Sequence, residues 1–130
     1  MEQSIGAVSL LVPSYEAGLA FYVDALGFRL VEDTPLSPEK RWVLVMPPGN
    51  GLTRLLLARA KTQEQKQAIG DQAGGRVFLF LHTDDFWRDH RRYLAAGVEF
   101  MEEPRVEAYG IVAVFRDPFG NKWDLLQLNK

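Results

Sequence analysis

The chain has no cysteine among its 130 residues, so it can form no disulfide, no thiolate metal site and no cysteine nucleophile, which fits a reducing compartment. Histidine is scarce, with two residues, so any metal would depend on Asp and Glu for most of its ligands. No charge of one sign dominates: 15 Lys and Arg face 17 Asp and Glu for a net charge of -2, without a basic block, which argues against nucleic acid as a partner. Long hydrophobic runs are missing too. Val8 to Pro13 and Arg76 to Leu81 are strand-length, and no charged segment precedes an apolar stretch at the start. These features predict a soluble cytoplasmic protein that spans no membrane. Nucleotide-binding glycine loops, the serine-hydrolase elbow and H-E-x-x-H are likewise absent.

What is present is an apolar fraction of 47%, enough for one globular domain with a real core, and an internal repeat. The stretch from Ala7 to Asp33 matches the stretch from Phe78 to Glu103, with one residue fewer in the second helix. Each copy runs apolar strand, cap cluster, amphipathic helix, glycine, alternating strand. Ser14 is placed to cap the first helix, with Tyr15, Leu19, Tyr22, Val23 and Leu26 on one face and Gly27 as its stop. The second helix opens at Asp84 or Asp85, puts Phe86, His90, Tyr93 and Leu94 on one face, and stops at Gly97. Further strands are predicted at Arg41 to Met46, Thr53 to Ala58, Ile111 to Phe115 and Lys122 to Leu128. The two halves are thus βαβββ modules, 1-60 and 74-130, joined by a polar linker over 61-73 that carries a short exposed helix. A ferredoxin-like fold would place fewer strands after each helix.

The FYVDALGF stretch from Phe21 to Phe28, the GVEF stretch from Gly97 to Phe100, and Glu107 to Gly110 followed by Asp117 to Asn121 resemble the vicinal oxygen chelate superfamily. That group holds glyoxalase I, bleomycin-resistance proteins and extradiol dioxygenases. The resemblance implies an α+β fold of two tandem βαβββ modules, whose curved mixed sheets form a shared cleft, and a homodimer. It also implies a metal held by the first and last strands of each module. Carried over by position, those ligand places read Ala7, Arg54, Phe78 and Asp124. Asp124 alone is a usable ligand, so no metal is expected at the usual place.

Alternation along the strands puts Ser9 and Leu11 on the face of Ala7, Phe80 and His82 on the face of Phe78, and Lys122 and Leu126 on that of Asp124. Arg54, Phe78, Phe80, His82, Tyr109 and Asp124 are therefore the candidate ligand-binding residues. An Arg54 guanidinium can stand in for the missing cation, binding a carboxylate or pairing with Asp124. Candidate catalytic groups are His82, Glu107 and Tyr109. Each has a plainer role open to it: core packing for the phenylalanines, a hydrogen bond at the strand-to-helix turn for His82, loop packing for Tyr109. Trp42 and Trp123 are read as packing residues, and the Asp117 to Asn121 turn as structural.

Three functions fit. The first is a protein with a degenerate metal site that binds a small organic molecule, partly apolar or aromatic, as bleomycin-resistance proteins do. The second is a glyoxalase-like lyase or isomerase whose divalent metal sits in a shifted site built from His82, Asp124, Glu107 or a second chain. The third is a regulatory or structural dimer without catalysis.

Overall fold

A computed structural model describes residues 1–130. The chain divides into two compact units, Met1–Ile69 and Gly70–Lys130.

In the first unit, β1 (Ala7–Val12), β2 (Arg29–Pro35), β3 (Arg41–Met46) and β4 (Arg54–Arg59) form one sheet in the order β1-β4-β3-β2, with β1 parallel to β4. The helix α1 (Tyr15–Leu19) links β1 to β2 and runs on as a π-helical turn, Ala20–Ala25. Ser14 caps it as expected, its hydroxyl accepting from the Ala17 N–H at 3.1 Å. The π-turn accounts for the extra residue in the first copy of the repeat, because a single-residue insertion is absorbed by one widened turn. Phe28 N–H reaches back to the Tyr22 carbonyl at 2.9 Å, and Leu26 N–H to that of Phe21 at 2.9 Å. The wider turn also rotates the buried face. Phe21, absent from the expected stripe, is buried beside Tyr22, whereas Leu19 and Val23 are half-buried. Gly18 lies so close to the sheet that a Cβ there would meet Leu57 at 3.0 Å and Val12 at 3.1 Å.

The core of this unit is Leu10, Val12, Val43, Val45, Leu55 and Leu57 under the helix. Burying a side chain of this size contributes roughly 1.5–3 kcal/mol. The short helix expected in the polar stretch forms as α2 (Gln63–Ala68), with no buried residue.

The second unit repeats the plan. β5 (Val77–His82), α3 (Phe86–Ala95), β6 (Glu99–Phe100), β7 (Arg105–Glu107), β8 (Gly110–Arg116) and β9 (Lys122–Leu128) follow in order. The sheet runs β5-β9-β8-β6, with β5 parallel to β9. The strand expected over Val98 to Met101 forms as the shorter β6, which pairs with Phe115 and Arg116, and an additional strand, β7, forms where a loop was expected and pairs with Val112 and Ile111 of the same neighbour β8. Pro104, which has no N–H to give a ladder, lies in the break. Asp85 caps α3 through the Arg88 N–H at 3.1 Å. Phe115 stacks on Trp123 with ring centres 5.9 Å apart, and Tyr93 meets Phe115 edge-on. Leu94, expected on the buried face of α3, is exposed; Phe86 and Tyr93 carry the burial. Both expected helix stops hold, Gly27 at φ 78 and Gly97 at φ 84.

Candidate functional site

Each sheet has one face under its helix and one face away from it. In the second unit β9 turns Trp123 and Leu125 toward the helix side, so Lys122, Asp124 and Leu126 point the other way. Asp124 is in register with Phe80 of β5 and with Val114 of β8. The expected neighbour from β5 was Phe78. The register shift between Val77 and Leu79 brings Phe80 there, and Phe80 is 59% exposed. Phe78 is half-buried one turn of the pleat away.

The Asp124 carboxylate has no ion pair, and its Oδ1 is buried without a hydrogen-bond partner. Burial pushes its pKa above the usual carboxylate value; Arg105 pulls it back and Glu102 adds a further push. Such a shielded acceptor costs free energy until a donor arrives.

Beside Asp124 the break between β6 and β7 makes a notch. Met101 N–H still reaches the Val114 carbonyl at 2.8 Å, but the Val114 N–H has lost its strand partner and donates instead to Glu102 Oε2 at 2.9 Å. Arg105 holds Glu102 in place, with Nε 3.0 Å from Oε1, and reaches Glu107 Oε1 at 2.9 Å. Glu102, Glu107 and the Tyr109 hydroxyl all favour the charged guanidinium. Gly75, Val77, Met101, Glu102, Val114 and Lys122 line a pocket of about 290 Å³ at this notch. Lys122 Nζ donates to the Gly75 carbonyl at 3.1 Å across its mouth.

The first unit has a related feature. Arg54 of β4 is in register with Ala7 of β1, as the repeat requires, and its Nε is buried without a partner. Neither Arg54 nor Asp124 has an ion-pair partner within its own unit. A separate polar cluster lies on the helix side. Arg41 donates to Asp33 at 2.6 Å and to Glu16 at 2.5 Å, with its guanidinium 5.0 Å over the Tyr15 ring. These bonds hold Asp33 below the usual carboxylate range. Every strong partner of Arg41 is already taken, so this cluster reads as a clamp of β2, β3 and α1.

The other expected residues are placed as follows. His82 ends β5 and is exposed; the turn it was expected to hold is tied by Thr83, whose hydroxyl donates to Asp89 and accepts from the Asp85 N–H. Glu107 sits in β7 and not in a loop, paired to Arg105. Tyr109 is 50% exposed at the tight turn between β7 and β8. Asp117 is buried and its Oδ1 accepts from the N–H groups of Phe119, Gly120 and Asn121, so the turn is structural as read. Trp123 is core, whereas Trp42 is 37% exposed. His90 lies among rings, 4.6 Å from Phe100 and 5.6 Å from Phe86.

Sequence reasoning missed Glu102 and Arg105, and placed Lys122 on the face of Asp124 without making it a candidate. The one available signal was Pro104, which has no N–H to give a ladder and so marks a break. Neither unit gathers three His, Asp or Glu side chains able to hold an ion. Glu102, the carboxylate whose charge acts on Asp124, is already committed to the Val114 N–H and Arg105. Such a set does not suit a divalent metal, which needs several free oxygen or nitrogen ligands.

A model of the glyoxalase/bleomycin resistance protein/dioxygenase superfamily matches residues 4–125. A protein of Shewanella frigidimarina (strain NCIMB 400), described as uncharacterized, is 55% identical over 130 residues, covering 99% of this chain and 96% of that one. Among solved structures, UcmS2 has a TM-score of 0.84 at 27% identity, covering 97% of this chain and 98% of its own. TnmS3, described as an antibiotic binding protein from Streptomyces sp. CB03234, has a TM-score of 0.81 at 30% identity, covering 98% of both chains.

Proposed function

The chain belongs to the glyoxalase/bleomycin resistance protein/dioxygenase superfamily, and we propose that within it the protein binds a small, partly aromatic organic molecule without a metal. The observation that carries this reading is Asp124. It stands at the place where the family resemblance puts a metal ligand, yet its shielded Oδ1 has no partner and its neighbours in register are Phe80 and Val114. An acceptor beside an exposed ring suits a flat molecule with a hydroxyl or amine donor, since a few placed polar groups on an apolar surface are what orient small ligands. The likeness to TnmS3 supports an antibiotic-like ligand. Of the candidate residues, Phe80 and Asp124 contact the ligand in this reading, and Phe78 and Tyr109 border it.

The protein also works as a homodimer in this reading. Support comes from β2, an edge strand exposed along its whole length with Leu30 and Val31 among its residues, a surface that soluble monomers usually protect. Its mass in solution, by light scattering, tests this: twice the chain mass is expected.

Thermal melts with bleomycin and a panel of aromatic antibiotics, run with EDTA and again with nickel or zinc, test the function. We expect at least one compound to raise the midpoint by several degrees, equally with and without chelator, as binding to the folded state requires. Stabilisation only with added metal, or metal-dependent turnover of a glutathione hemithioacetal, would establish the lyase reading in its place.

A further inference from the structure

The exposed edge of the first sheet carries two charges that meet no opposite charge within the chain. Arg29 opens β2, and its guanidinium donates only to the Met46 thioether sulfur, at 3.3 Å. Glu32 accepts only from the Thr34 hydroxyl, at 2.9 Å. Asp33 beside it is already held by Arg41. Alternation would put residues three apart on opposite faces of a strand. The bulge at Val31 changes that, because Arg29 stands opposite Met46 and Glu32 opposite Leu44, two residues of β3 that share a face. Arg29 and Glu32 therefore lie on one face of β2, with the exposed aliphatic side chains of Leu30 and Val31 between them in sequence.

This arrangement is self-complementary. Two copies of β2 lying antiparallel about a twofold axis between Leu30 and Val31 set Arg29 of each against the partner's Glu32, and Leu30 of each against the partner's Val31. Moving the axis to Glu32 would oppose two carboxylates, and a parallel arrangement would oppose like with like throughout, so charge selects a single register. Because the bulge interrupts the regular run of backbone groups along the edge, side-chain pairs and not a long backbone ladder define the contact. We propose that β2 is the surface by which two copies of this chain associate, in the register that exchanges Arg29 and Glu32. The proposal rests on the homodimer reading given above and names its contact.

Sedimentation of the full chain as Arg29→Glu, as Glu32→Arg and as an equimolar mixture of the two tests it. Either variant alone puts like charges at both ends of the contact, and we expect its dimer to dissociate about tenfold more readily than the native one. Mixing the two recovers both opposite-charge pairs, so a dimer containing one chain of each should form with native strength. Both positions are exposed, and circular dichroism verifies that each variant folds. Hydrogen exchange of the native chain gives a readout that needs no variant: protection of the β2 amides is expected to rise with protein concentration. Native-strength dimers in both folded single variants, weakening that mixing does not repair, or β2 exchange that is independent of concentration would overturn the proposal. If the native chain is still a dimer in those cases, the homodimer reading stands on another surface. A native chain that stays monomeric removes both.

Discussion

Asp124 is held in a surrounding that disfavours its charge, and that has a consequence for stability. Its folded pKa is raised above the ordinary value of 3.8, chiefly by burial. The folded protein therefore binds this proton more tightly than the unfolded chain, so the contribution is present at low pH and is lost as pH rises through the raised value. At pH 7 Asp124 is a cost. Asp124→Asn should then melt higher than the native chain at pH 7, and the difference should shrink as pH falls below the ordinary value of 3.8. Melts across this range check this, and a variant less stable at pH 7 would mean that the carboxylate has a partner in solution. Lys122 and Glu102 show why the rest of the site was hard to read from sequence. Each is an ordinary charged residue whose role arises only because β6 stops short of β7, leaving one N–H for Glu102 to satisfy and one pocket for Lys122 to face.

At the scale of elements, most of the fold was legible because periodicity, caps and stops agreed. Ser14, Asp85, Gly27 and Gly97 each do what their residue types predict. The departures share one cause, which is that local pattern does not count residues within a turn. The one-residue excess in the first copy of the repeat was visible, but nothing in Ala20–Ala25 declares a π-turn, and the rotation it causes buries Phe21 in place of Leu19. Deleting Ala20, which is exposed, should restore an α-helical turn while leaving Gly27 and β2 in register. The expected result is a folded protein whose midpoint changes by less than about 5 °C, since a surface change without a buried loss is worth little. Loss of cooperative melting would show that the wide turn is needed for packing. The second surprise, the additional strand β7, was hidden because the GVEF stretch alternates correctly and ends four residues before Pro104.

At the scale of the molecule, the repeat read from sequence became two units of one plan, and the scarcity of histidine and cysteine became a matter of position. The last strand of each unit carries one charged side chain with a shielded, unpartnered polar atom, Arg54 in β4 and Asp124 in β9. Where the family resemblance puts the last-strand metal ligands, this chain carries Arg54 and Asp124, and the proposed function gives Asp124 to an organic ligand. Native mass spectrometry of protein purified without chelators tests this most directly. Chain or dimer masses are expected to carry no metal and to gain one small organic molecule per chain when a stabilising compound is added. A divalent ion retained at one per chain, and lost in Asp124→Ala, would contradict it.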